Sequence, residues 1–322
     1  MDHSTRVYDD ITEMLPSEEN PSPLVRLRRL LPPNGSELWA KLEWLNPFGS
    51  VKDRAAWEMI RDLEERGELG PSHPGRGLVE PTSGNTGISL AALAAARGYR
   101  MRAVVPSKVP EEKKILLRLA GAEVDVVKDA LCPLPGSEDG TIGLAKTYAK
   151  AQGDKYAMPN QYENRKNVEA HLRTTGPEIW RQTAGRVSHV FTSLGTCGTV
   201  TGLATFLRAR KPEVKIVAVQ PSPGHDVPGL RNVSELEVSK LFDPSLIDEI
   251  LEVDYELGYR RAVDLARSEG LLAGPSSGLI FEGARRVAER ARIPCGVLIF
   301  PDNVFKYTSN MLKHLPELAV ES

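Results

Sequence analysis

Lys52 sits where a lysine can do chemistry. It belongs to Asn46-Pro47-Phe48-Gly49-Ser50-Val51-Lys52-Asp53-Arg54, after a short apolar-alternating run from Leu38 to Leu45 and before a helical pattern reaching about Glu65. Gly49 and Ser50 read as a turn and a helix start, with Ser50 a good N-cap residue and Asp53 three positions on. That places Lys52 in a first helical turn, near the positive end of the helix dipole, where an ammonium is disfavoured. A lysine kept partly neutral is a nucleophile suited to Schiff-base chemistry with carbonyls. Taken alone, a lysine in a first turn is more often a solvated surface residue, so its company matters.

Four further stretches gather anion-binding or nucleophilic groups. Gly195-Thr196-Cys197-Gly198-Thr199 closes an apolar strand and opens a helix, so its backbone amides can cradle a phosphate. In isolation it is equally a plain strand-to-helix turn. It lacks the lysine of a P-loop and the spacing of a dinucleotide fingerprint, which disfavours ATP and NAD. Thr82-Ser83-Gly84-Asn85-Thr86 also lies between a strand and a helix, as an anion site or a simple N-cap cluster. Ser276, in Gly274-Pro275-Ser276-Ser277-Gly278, has the spacing of a hydrolase nucleophile elbow. A hydrolase needs a histidine after it, however, and only His314 follows. Arg231, in Val227-Pro228-Gly229-Leu230-Arg231-Asn232, could be a solvated loop charge or a bidentate partner for a phosphate or sulfonate.

In chain order, Ser50–Arg54, Pro81–Gly87, Gly195–Thr199 and Gly274–Gly278 resemble the cysteine synthase and cystathionine β-synthase family of pyridoxal-phosphate enzymes (fold type II, tryptophan synthase β-like), and the resemblance covers about Pro23 to His314. The resemblance implies pyridoxal 5′-phosphate bound covalently by Lys52. It implies a phosphate loop of Gly195, Thr196, Cys197, Gly198 and Thr199, with Asn85 on the cofactor's 3′-oxygen and Ser276 on its ring nitrogen. A neutral hydroxyl at that nitrogen leaves a weaker electron sink, which suits β-elimination and replacement better than transamination. Thr82, Ser83, Thr86 and Gln161 would hold the substrate α-carboxylate, the loop closing over it. The thiol of Cys197 reads as a small buried filler rather than a nucleophile.

The segment around Arg231 resembles B-type cysteine synthases and O-phosphoserine sulfhydrylases, in which an arginine faces the mouth of the site. The implied reaction replaces the β-substituent of O-acetyl-L-serine or O-phospho-L-serine by sulfide, or thiosulfate, through an α-aminoacrylate. Pro301-Asp302-Asn303 is nearer in form to cystathionine β-synthases, so serine plus homocysteine is the alternative reaction. Gln161-Tyr162 occurs in both branches, and no haem-binding extension or regulatory domain is expected. A non-catalytic relative would not be expected to keep Lys52, Asn85 and Ser276. The segment Glu19-Asn20-Pro21-Ser22-Pro23 departs from the family's Gly-Asn-Thr-Pro-Leu.

Positioning these groups requires alternating strands and helices. Apolar runs predict strands at Gly77–Glu80, Met101–Val105, Val124–Val127, His189–Leu194, Val214–Val219 and Gly296–Phe300. Between them, helices are predicted over 86–96, 111–119, 143–152, 168–183, 200–209, 257–268 and 279–290, with a last one near Thr308–Leu315. This order argues for an α/β protein with a twisted parallel sheet flanked by helices. A pause in the rhythm near Asn160 divides it into two α/β halves. The resemblance gives a smaller domain over 40–158 and a larger one from 1–39 plus 159–322. Pro221 to Pro244 is long enough for a functional loop, and Leu131 to Gly140 is a lid or a surface loop.

Of the 322 residues, 41% are apolar, and no run could cross a membrane. The acidic amino terminus has no secretory h-region, which makes the cytoplasm the expected compartment. A net charge of −2 without basic blocks disfavours nucleic acid. Three scattered cysteines, Cys132, Cys197 and Cys295, support neither a disulfide framework nor a metal site. The expected partners are a small amino-acid substrate and a sulfur donor, with homodimerisation implied by the resemblance.

Overall fold

The structure, a computed structural model, describes residues 7–129 and 139–320. The chain opens with β1 (Leu24–Arg26), β2 (Leu38–Leu42) and α1 (Lys52–Glu65). Next come β3 (Gly77–Pro81), α2 (Asn85–Arg97), β4 (Met101–Pro106), α3 (Glu111–Leu119), β5 (Glu123–Val127), α4 (Thr141–Ala151) and β6 (Tyr156–Ala157). Then follow α5 (Lys166–Ala170), α6 (Gly176–Gln182), β7 (His189–Ser193), α7 (Gly198–Arg208), β8 (Lys215–Pro221) and β9 (Glu249–Val253). The last elements are α8 (Tyr255–Asp264), α9 (Pro275–Arg290), β10 (Gly296–Phe300) and α10 (Thr308–His314).

The strands form two sheets. One is six-stranded in the order β1-β2-β10-β7-β8-β9, parallel except for β1 against β2. The other is four-stranded and parallel throughout, in the order β5-β4-β3-β6. Central strands such as β3 and β10 are buried at every position, as expected where helices cover both faces. Leu78, Leu90 and Leu93 are fully buried in the core around the smaller sheet, and Phe191, Phe281 and Leu298 in the core around the larger one. Removing that apolar surface from water is the main favourable term for each half.

Several boundaries differ from expectation. The run Leu38–Leu45 is a strand only to Leu42, after which Glu43–Leu45 turns as a 3₁₀ helix. The helix predicted over 168–183 starts at Lys166 and contains a π-helical stretch, His171–Thr175, between α5 and α6. β6 is too short to give a pattern, and β9, an edge strand with half its side chains at the surface, was not expected either. The segment Leu131–Gly140 lies outside the described residues up to position 138.

Candidate active site

The start of α1 is built from short-range contacts. Ser50 Oγ accepts from Lys52 N at 3.2 Å, and Val51 is already helical at φ −56°. Ser50 therefore supplies the capping hydroxyl its spacing suggests, although the regular helix is counted only from Lys52. Buried Asp53 turns back to accept from Phe48 N (2.8 Å) and from Ser89 Oγ (2.6 Å), tying α1 to α2. Val51 N donates to Pro301 O at 2.8 Å, which clamps the lysine turn to the end of β10.

Lys52 then points into a cleft of about 900 Å³, counting its open mouth, at the carboxyl ends of strands from both sheets. Ligand sites in open α/β sheets gather at such strand ends. Among the described residues, its Nζ has no hydrogen bond or ion pair. Burial lowers its pKa below the ordinary lysine value, with Cys197 and Asp302 partly opposing. A lysine so placed sheds its proton more readily and is a better nucleophile.

The turn after β7 forms the opposite wall, with Gly195, Thr196, Cys197 and Thr199 lining the cleft. The first-turn amides of α7 have no intrahelical acceptor and suit an anion. Gly198 does not line the cleft. It lets α7 press onto Asn167, since a Cβ there would fall 2.1 Å from Asn167 Oδ1. Asn167 Nδ2 also donates to Thr196 Oγ1 at 2.9 Å, and Ser239 Oγ donates to Thr196 O at 2.7 Å. Thr199 Oγ1 lies 3.1 Å from Nε2 of His171, whose pKa falls to about 3 through burial and the nearby charges of Arg54 and Lys52. This imidazole is neutral and acts as a brace. Asn167 and His171 had no sequence signal, because His171 falls inside the helical pattern over 168–183 and Asn167 just before it.

Cys197 is left-handed at φ 66°, and its thiol is buried. Burial pushes its pKa up to about 12, against weaker opposition from the Gly195 backbone, Lys52 and Arg231. At pH 8 only about one thiol in 10⁴ would be ionised, and the thiolate is the reactive form. Iodoacetamide at pH 8 should therefore leave Cys197 unmodified in the native protein and label it after denaturation, as read by peptide mass spectrometry. Rapid native labelling would contradict the filler role.

Thr82, Ser83, Asn85 and Thr86 line the side of the cleft that belongs to the smaller sheet. Thr82 Oγ1 accepts from the amides of Gly84 (3.1 Å) and Gly87 (3.0 Å), which fixes the turn into α2. Thr86 Oγ1 donates to Gln161 Oε1 at 2.6 Å, and Gln161 Nε2 donates to Pro81 O at 2.8 Å. Glu80 accepts from Asn160 N and Gln161 N, so the residue at the end of β3 also holds the loop that presents Gln161. The Asn85 amide is pinned at both ends, donating to Asp302 Oδ2 at 2.7 Å and accepting from Lys306 Nζ at 3.5 Å.

Ser276, in the first turn of α9, lines the cleft and makes no hydrogen bond among the described residues. His314, the only histidine after it, instead contacts Asp226 Oδ2 at 3.1 Å and stacks on Tyr259. It is not a triad partner. Arg231 is no solvated charge, being 3% exposed. Its Nη1 donates to Glu235 O at 3.1 Å, and its guanidinium lies 5.4 Å from the Tyr162 ring centre. It lines the same cleft.

The residues present fit pyridoxal phosphate: a lysine without a partner, an amide cradle across from it, and a serine with no other hydrogen bond. Residues 15–302 match the profile of the family described as pyridoxal-phosphate dependent enzyme. The chain belongs to that family, and pyridoxal phosphate is its cofactor. It is 42% identical to cysteine synthase B of Salmonella typhimurium over 89% of this chain and 92% of that one. Its fold superposes on O-ureido-L-serine synthase with a TM-score of 0.86 at 33% identity, covering 97% and 98% of the two chains. Against the cysteine synthase of Entamoeba histolytica the TM-score is 0.83 at 28% identity, covering 98% and 93%. No helix among the described residues is long and apolar enough to cross a membrane.

Proposed function

We propose that the protein is a cysteine synthase, which replaces the β-acetoxy or β-phosphate group of an activated L-serine by sulfide. The observation that carries this reading is the unpartnered Lys52 facing the α7 cradle across a cleft whose other wall is a hydroxyl-rich loop. The relatives named cysteine synthase support it. When bound, the cofactor supplies an electron sink for the substrate's α-carbon. Its phosphate would rest on the amides of Gly195 to Thr199, its ring near Asn85 and Ser276, and its carbonyl carbon at Lys52.

The chain's own groups do the rest. Thr82, Ser83, Thr86 and Gln161 seat the amino acid's carboxylate, which places its α-hydrogen against Lys52. Lys52 Nζ, with its pKa lowered by burial, takes that proton. Closing the loop around Thr82–Thr86 excludes water and holds the reacting atoms in line. Acetate or phosphate then leaves from the β-carbon, and the sulfur nucleophile takes its place.

Arg231 is the reader of the leaving group. A guanidinium pairs bidentately with phosphate but gains little from a neutral acetyl ester. Arg231→Ala should lower kcat/KM for O-phospho-L-serine by about 100-fold, and for O-acetyl-L-serine only severalfold. Equal losses for the two donors would remove the anionic-substrate assignment. A cofactor absorbance change with L-serine, and turnover only with homocysteine, would point instead to cystathionine synthesis. That alternative draws support from Pro301-Asp302-Asn303 at the cleft wall. The enzyme is further taken to act as a homodimer, as the resemblance implies, with the cytoplasm as its compartment. Its smaller domain would be 40–158, and the four-stranded sheet lies within those residues.

A further inference from the structure

We propose that Lys113 supplies the counter-charge for the substrate carboxylate at the Thr82–Thr86 loop. Three observations carry this. First, Lys113 lies on α3, is 1% exposed and borders the cleft. Two other buried lysines have polar partners: Lys41 meets Glu178, and Lys306 donates to Phe48 O and Gly49 O. Among the described residues Lys113 has no hydrogen bond or ion pair, and its Nζ rests 3.9 Å above the Tyr307 ring. A buried charge with no carboxylate in direct contact is costly, so an anion that arrives beside it is favoured.

Second, the side chain runs directly beneath the loop. Gly84 is at φ 138°, and a Cβ on it would lie 2.5 Å from Lys113 Cδ and 3.4 Å from Nζ. The glycine is needed both for its backbone angle and to let the lysine pass. Third, the loop itself brings only neutral donors, the hydroxyls of Thr82, Ser83 and Thr86 and the amides around them. Lys306 reaches this loop only from behind, at Asn85 Oδ1, and does not line the cleft, so Lys113 is the cation that borders the cleft at the loop. Burial holds Lys113 down to about 8, with Lys306 lowering it and Asp302 and Glu112 raising it. The carboxylate of Asp302, which also lines the cleft, is occupied at Oδ2 by Asn85 Nδ2 and by the Tyr307 hydroxyl.

The inference rests on the loop being the carboxylate reader. Calorimetric titration of the holoenzyme with L-serine and with L-serinamide, which lacks the negative charge, separates the two claims. Wild-type protein that binds both equally would overturn the loop assignment itself. With that preference in place, Lys113→Met should weaken L-serine binding about tenfold and leave L-serinamide binding unchanged, while Lys113→Arg restores most of the loss. Equal weakening of both ligands, or no loss for L-serine, would overturn the role of Lys113. The wild-type protein gives a test without any substitution. Its L-serine affinity, relative to that of Lys113→Met, should decline as pH rises through about 8 and the ammonium loses its proton. A constant ratio across that range would also overturn the role.

Discussion

Lys52→Ala is expected to lose essentially all turnover, by at least about 10³-fold, because the group that takes the α-proton is gone and proton transfer alone supplies roughly that factor. The fold should survive the change. Lys52 Nζ makes no hydrogen bond or ion pair among the described residues, and α1 is held instead by Asp53 and Arg54. The thermal midpoint should therefore stay within a few degrees of the wild type. Lys52→Arg is the sharper control. It keeps the positive charge and much of the volume but cannot give up its proton near neutral pH. It should be as inactive as the alanine variant. Borohydride reduction of the wild-type holoenzyme should fix the cofactor to the peptide carrying Lys52, as read by mass spectrometry. Turnover near the wild-type level in either variant would remove Lys52 from the mechanism.

The largest stability loss is expected two residues further on. Arg54 donates through Nε and Nη2 to Glu43 at 2.8 and 2.9 Å, and through Nη1 and Nη2 to Glu178. Lys41 Nζ reaches the same Glu178 at 2.6 Å, with Gln182 Oε1 and Ser22 O completing its contacts. All four charged side chains are at most 1% exposed. Two cations and two anions thus balance in a sealed volume that joins β2, the 3₁₀ turn, α1 and α6. Such a network contributes little beyond well-packed apolar residues, but it is expensive to break. Glu178→Ala leaves two cations facing one carboxylate and should cost about 3–5 kcal/mol, a large part of a typical total. Urea unfolding would show it as a lower midpoint at unchanged slope. A loss below about 1 kcal/mol, as for a surface pair, would contradict this reading.

The same network sets an acid limit. Burial alone would raise the Glu43 carboxyl, but the charge and hydrogen bonds of Arg54, with Lys41 and Asn46, bring it down to about 2. Its folded-state pKa is thus below the unfolded value of 4.5. The stabilisation from Glu43 is then fully present above the unfolded value and fades as pH falls toward 2.

The sequence alone determined the local pieces of this protein. Glycine and hydroxyl residues between a strand pattern and a helix pattern mark the turns at Thr82–Thr86 and Gly195–Thr199. That chemistry depends on a few adjacent residues, so it survives reading without a fold. Four such motifs in order also sufficed to indicate the family and its cofactor. Long periodic elements were equally legible, and α3 was read at its observed bounds, Glu111–Leu119.

What only the tertiary structure decided is burial and pairing between distant residues. Lys113 stands in Glu111-Glu112-Lys113-Lys114, which reads as a solvated face, yet packing against Gly84 and Tyr307 buries it. Arg231, by spacing alone either a solvated loop charge or an anion partner, is buried beside Tyr162. Arg54 meets Glu178 across 124 positions of sequence, and Asn85 meets Asp302 across 217. β10, the last strand in sequence, inserts between β2 and β7 and thereby carries Asp302 to the lysine turn. No local pattern encodes these contacts. They follow from strand order, and strand order is settled largely by which arrangement buries the most apolar surface.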